Sequence, residues 1–179
     1  ILDVCAAPGT KTNYIVEKQK GEGTVIASDM SMARIKKGKM RSEALEYPVE
    51  WVCKNASTDA FPMADRILID APCTGTGVMG RRPDIRWRRE KEDVHSMAAI
   101  QLAILMHMSQ FLKKDGVMVY ATCSLEAEEN WNVVESFLKL NDNFFLESGK
   151  DFVPESWLNE QNCLATFPPR HNVDGMFAA

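Results

Sequence analysis

The chain has 179 residues, 45% of them hydrophobic and 26% charged, with a formal net charge of −4. That length supports one domain with a proper core and is short for two. The apolar runs fall far below the roughly 18 residues of a membrane helix, and the acidic balance excludes a general polycation. Five cysteines without a C-x-x-C exclude the common zinc frameworks, so no metal is expected.

The first predicted element is a strand over residues 1–5. It starts without an initiating Met, so the chain is expected to be a fragment of a longer protein. Cys5, Ala6, Ala7, Pro8, Gly9, Thr10 and Lys11 then make a turn of mostly small residues into a helix over 11–19. Small residues let a ligand approach the backbone, and a helix start offers free N–H groups. The turn has neither the three glycines of a dinucleotide loop nor a P-loop pattern, so a pyrophosphate is not the expected guest. A nicotinamide dehydrogenase is disfavoured on the same ground.

A strand over 24–28 leads to Asp29, 20 residues after Gly9, where an acid can take both hydroxyls of a ribose. A ligand with a ribose and no phosphate fits both features, and S-adenosylmethionine meets that description. Helix 31–45 and strand 49–53 follow. The strand over 66–69 ends in Asp70-Ala71-Pro72-Cys73, placing an acid and a thiol where open α/β sheets keep their chemistry. Cys53 and Cys163 are expected to be plain buried residues.

Residues 81–92 carry six basic side chains against three acids, with Trp87 among them. A solvated loop explains such a run. An aromatic interleaved with Arg81, Arg82 and Arg86 also fits a nucleic-acid surface. The helix predicted over 96–112 places Ile100, Ala103, Ile104, His107, Met108, Phe111 and Leu112 on one stripe, with His107 a core or rim residue. After the strand over 116–121 comes Cys123, directly before a helix predicted over 126–140. That helix start would favour its thiolate, while Glu126, Glu128 and Glu129 oppose it. Segments 143–146 and 175–178 are expected to pair as a terminal antiparallel hairpin. The repeated βα units imply an α/β fold with a mostly parallel, Rossmann-like sheet. From the residues alone, either Cys73, which follows a proline, or Cys123 is a candidate nucleophile, and a dithiol redox pair also accounts for two thiols.

"DVCAAPGTKT", "DAPCTGTG", "RRPDIRW", "YATCSLEAEEN" and "FPPRHNVDGMFAA", in this order, resemble the Sun/Fmu family of RNA cytosine-5 methyltransferases over essentially the whole chain. The bacterial RsmB type, which acts on small-subunit ribosomal RNA, is the nearest subfamily. The resemblance implies a class I S-adenosylmethionine-dependent methyltransferase domain over 1–179, with an N-terminal RNA-binding region outside this chain. It implies cofactor positions at residues 5–11, Asp29, Arg34 and Asp70. Asn55 stands where the family usually has an acid facing the adenine, and its carbonyl oxygen is expected to take the amino group; Asp59 is the other candidate.

The same resemblance makes Cys123 the nucleophile and Cys73 the helper of product release. Asp70 would hold the N3/amino edge of a flipped cytosine, with Lys11 expected in the same pocket. RNA is the implied partner, with a cytoplasmic, monomeric, membrane-free protein expected. Methylation of transfer RNA, or an inactive RNA-binding module on the same fold, are the alternatives.

Overall fold

The computed structural model describes residues 1–179. Its strands are β1 (Leu2–Val4), β2 (Val25–Asp29), β3 (Val49–Cys53), β4 (Ala64–Asp70), β5 (Leu112–Thr122), β6 (Leu164–Ala165) and β7 (Phe177–Ala178). Its helices are α1 (Thr10–Gln19), α2 (Met32–Ala44), α3 (Ile85–Arg88), α4 (Lys91–Met108), α5 (Trp131–Leu140) and α6 (Pro168–His171). The strands form one sheet in the order β3-β2-β1-β4-β5-β7-β6. β1 pairs in parallel with β2 and β4, and β2 with β3, whereas β7 runs antiparallel to β5 and β6. This is the sheet expected of a Rossmann-like S-adenosylmethionine-dependent methyltransferase. No helix is long and apolar enough to cross a membrane.

The chain divides into two compact units, each described by itself. The first holds Ile1–Asp70 and Ile104–Val119. Leu2, Val4, Val25, Ala27, Ile67 and Ile69 are buried in its sheet, as near-continuous apolar strands covered on both faces require. On α2, Ile35, Gly38 and Ser42 face inward. Gly38 is there because the Trp51 ring occupies its side-chain space: a Cβ would lie 2.4 Å from Cη2. The indole N–H donates to Ser42 Oγ at 3.2 Å. Cys53, expected inside, is exposed, because β3 is an edge strand.

The second unit holds Ala71–Ala103 and Tyr120–Ala179. Val133, Val134 and Phe137 of α5 are buried there, with Tyr120 and Phe177 meeting edge-on at 6.4 Å. Residues 143–146 are not a strand. Phe144 instead packs edge-on against Phe137 at 5.1 Å and Phe145 is exposed. The hairpin partner of β7 is β6, locked by Thr166, which takes Met176 O through its N–H at 2.8 Å and accepts Met176 N–H at its Oγ1 at 2.9 Å.

Two further expectations are corrected. The buried line of α4 runs through Gln101, Ile104, Leu105 and Met108, not through Ile100, Ala103 and His107. The stripe is turned because a polar residue, Gln101, has buried partners. His107 sits at the rim, its Nε2 3.0 Å from Asp59 O. Nor does a helix begin directly after Cys123: a 3-10 turn occupies Ala127–Glu129, Asn130 breaks the run at ψ −106, and α5 starts at Trp131.

Candidate active site

At the end of β1 the chain turns through Cys5, at φ +62, and Gly9, at φ +93, before entering α1. Gly9 is needed twice over. The positive φ suits only glycine well, and a Cβ would come within 3.0 Å of Trp51 Cζ2. Ala6 N–H donates to Ser28 O and Gly9 N–H to Ala6 O, both at 2.8 Å. Ala6 and Ala7 are buried, Pro8 and Thr10 exposed.

Asp29, 4% exposed, organises this turn from the end of β2. Its Oδ1 accepts Ser31 N–H at 2.9 Å and its Oδ2 accepts Ala7 N–H at 3.3 Å. The Arg34 guanidinium lies 3.1 Å from Oδ2 and also donates to Ala7 O. Arg34 thus ties the turn to the end of β2. Oδ1 keeps one lone pair for a further donor.

Asn55 is committed locally. Its Oδ1 accepts Ser57 N–H at 2.9 Å and Ser57 Oγ–H at 2.7 Å, which takes both lone pairs. An amino group arriving there would have to displace one of them. Asp59 Oδ2 accepts the Asn55 N–H at 2.9 Å.

Lys11 on α1 and Asp70 at the end of β4 form an ion pair at 2.6 Å, each side chain partly exposed. They put a cationic donor and an anionic acceptor side by side. Asp3 and Cys5 are the buried polar groups of the same unit. Burial pushes the Asp3 carboxyl up to about 7, against the bond it accepts from Thr12 Oγ1 at 2.6 Å. Burial, with Asp29, Asp70 and Asp3 adding to it, pushes the Cys5 thiol up to about 12, so it is no nucleophile.

In the second unit the Cys73 and Cys123 sulfurs stand 3.3 Å apart, and none of the five cysteines is in a disulfide. The Cys73 thiol is held well above its ordinary range, first by its bond to Cys123 and then by burial. Glycines bring the two loops together: Gly77 N–H donates to Cys123 O at 2.9 Å, and Gly175 N–H to Gly77 O at 2.9 Å. A Cβ on Gly77 would lie 2.2 Å from Gly175 O. The N–H groups after Cys123 are engaged as well, Ser124 by Thr122 Oγ1, Leu125 by Thr76 Oγ1 and Glu126 by Ser124 Oγ.

The basic run is partly helical, with α3 a single turn. Trp87 on it is 85% exposed, and Arg86 is exposed beside it. Arg81 pairs with Asp174 at 3.1 Å and Arg82 with Asp84 at 3.7 Å, both at the surface. Sequence reading missed Glu129, Thr74, Ser124 and Gln101, a buried hydrogen-bonded cluster next to the thiols. Three similar glutamates in 126–129 gave no sign of which one is inside.

The relative from Photorhabdus laumondii named ribosomal RNA small subunit methyltransferase B is 40% identical over 173 residues, covering 87% of this chain and 38% of its own. Its namesake from Serratia proteamaculans is 38% identical over 184 residues, covering 100% and 41%. The chain thus spans about two fifths of the length of these curated relatives. Among solved structures, NSun6 from Pyrococcus horikoshii with SFG matches at a TM-score of 0.88 and 31% identity, over 99% of this chain and 46% of that one. With residues 1–179 matching the family described as 16S rRNA methyltransferase RsmB/F, the chain belongs to that family.

Proposed function

We propose that this chain is the catalytic part of a longer enzyme that methylates carbon 5 of a cytosine in small-subunit ribosomal RNA, through a covalent bond between Cys123 and carbon 6. The observation that carries the reading is the thiol pair, with the Cys73 and Cys123 sulfurs 3.3 Å apart. The names of the relatives support the RNA substrate.

S-adenosylmethionine, whose analogue SFG accompanies the Pyrococcus protein, supplies the electrophilic methyl group when bound. The residues fit such a guest: a turn of small residues, no phosphate-binding glycines, and a buried acid with a spare lone pair for a ribose hydroxyl. We assign Cys5 through Lys11, Asp29, Arg34 and Asp70 to that site. Asn55 or Asp59, which are hydrogen-bonded to each other, is assigned to the adenine.

Carbon 5 of cytosine is too weak a nucleophile unaided. Addition of the Cys123 sulfur to carbon 6 moves electron density to carbon 5 and splits one hard step into easier ones. The Cys73 S–H bond steadies negative charge on Cys123 before attack. Asp70 accepts from the cytosine amino group while Lys11 donates to the ring edge, matching the charge that develops there. Loss of the carbon 5 proton to a water-derived base then restores the ring double bond and expels the Cys123 sulfur as a thiolate, a departure that the Cys73 S–H bond is assigned to assist. The base must leave its stack to reach the thiols, so a loop or single-stranded cytosine is the substrate. Arg81, Arg82, Arg86 and Trp87 would hold the RNA.

Bisulfite sequencing of ribosomal RNA tests this. A strain lacking the full-length protein should lose protection at one small-subunit cytosine and regain it on complementation. Unchanged protection across that RNA would overturn the proposal.

A further inference from the structure

Glu129 is completely buried at the end of its 3-10 turn. Its Oε2 accepts Thr74 N–H at 2.9 Å and Gln101 Nε2 at 2.9 Å. Its Oε1 accepts Ser124 Oγ–H at 2.6 Å and also Thr74 Oγ–H. Thr74 is the residue after Cys73, and Ser124 the residue after Cys123. Gln101 Nε2 also reaches Pro72 O at 2.8 Å, on the other side of Cys73. Tyr120 OH donates to the Glu129 carbonyl at 2.5 Å, fixing the backbone that carries the carboxylate.

Both carboxylate oxygens act only as acceptors, and no cation pairs with them. Burying a carboxylate in this way is costly, and an apolar residue of similar volume would serve packing alone at least as well. What an apolar residue cannot do is grip two thiol loops at once.

We propose that Glu129 is a positioning residue for methyl transfer, its carboxylate setting the separation of Cys73 and Cys123 by holding the residue that follows each. This rests on the two-thiol reading given above. Its negative charge adds, after the Cys123 bond and burial, to the forces that keep the proton on Cys73. A thiol displaced by about 1 Å can cost on the order of 100-fold in rate.

The test uses the full-length protein with ribosomal RNA. Glu129→Gln keeps the shape but turns one acceptor into a donor facing donors. It should lower the single-turnover rate of methyl transfer by about 100-fold, with affinity for S-adenosylmethionine and for RNA within about twofold of wild type, the normal scatter for a site left untouched. The pH profile of thiol alkylation should also change, with Cys73 becoming reactive at lower pH. Ser124→Ala, which removes one of the bonds to the Glu129 carboxylate along with the one Ser124 Oγ accepts from Glu126 N–H, should lower the same rate by about 10-fold, the scale of one lost hydrogen bond to a charged group. Should Glu129→Gln fail to bind cofactor, Ser124→Ala decides alone. Wild-type rates in a folded Glu129→Gln, or in Ser124→Ala, overturn the inference. Retained transfer by Cys123→Ala would instead sink the two-thiol reading itself, so the two failures are distinguishable.

Discussion

The sulfur of Cys73 lies 3.3 Å from that of Cys123, and the contact together with burial raises the Cys73 thiol above its ordinary range. On this geometry Cys123→Ala abolishes methyl transfer and any covalent RNA adduct. Cys73→Ala leaves attack and transfer possible but slows elimination, so a protein–RNA species should accumulate and survive denaturing electrophoresis. Adduct from Cys123→Ala and none from Cys73→Ala would reverse the two roles.

Asp29 connects Ser31 N–H, Ala7 N–H and Arg34, and replacement by Ala leaves all three without it. We expect Asp29→Ala to weaken S-adenosylmethionine binding by about 1–3 kcal/mol, the range for orphaned buried partners. Calorimetry on wild type and variant, without RNA, measures it. Equal affinities would remove Asp29 from the site.

The exposed arginines near Trp87 predict an electrostatic contribution to RNA affinity. Arg81 and Arg82 give up only surface ion pairs with Asp174 and Asp84, which are weak. The triple change of Arg81, Arg82 and Arg86 to Ala should reduce the slope of log affinity against log salt by roughly 0.7 for each RNA phosphate that is no longer neutralised. Cofactor affinity should not move. An unaltered slope would return residues 81–92 to an ordinary solvated surface.

Asp3 predicts a pH effect on stability. Its folded-state carboxyl is pushed up to about 7, above its ordinary value, so the folded protein holds this proton more tightly than the unfolded chain. The resulting stability is complete below about pH 4 and is lost as pH rises to about 7, by up to about 4 kcal/mol. Asp3→Asn does not titrate. The stability of the variant relative to wild type should therefore climb between those pH values and be flat on either side. Denaturant unfolding at several pH values reads the difference, and a constant gap would refute the shift.

The parallel half of the sheet was legible because its strands are short apolar runs bounded by turns, and both acids at strand ends, Asp29 and Asp70, could be placed. The last strands were not. Leu164–Ala165 and Phe177–Ala178 are two residues each and carry no periodicity, while 143–146 has better strand composition but packs on α5. The stripe of α4 was misread for a related reason: counting apolar residues cannot include Gln101, which is buried by its hydrogen bonds to Glu129 and Pro72. The thiols were visible as residues, whereas their mutual distance and the carboxylate behind them exist only once three remote segments meet.

Gly175, Gly77 and the Cys123 carbonyl touch through backbone alone. Peptide groups are the same in every residue, so the spacing they impose is indifferent to substitutions in the surrounding packing. Lineages can therefore drift widely around this centre without detuning it, yet the two glycines themselves admit no drift. A survey of tolerated substitutions should find a permissive neighbourhood enclosing two intolerant points, with Gly77→Ala lost and changes at exposed neighbours such as Gly80 retained.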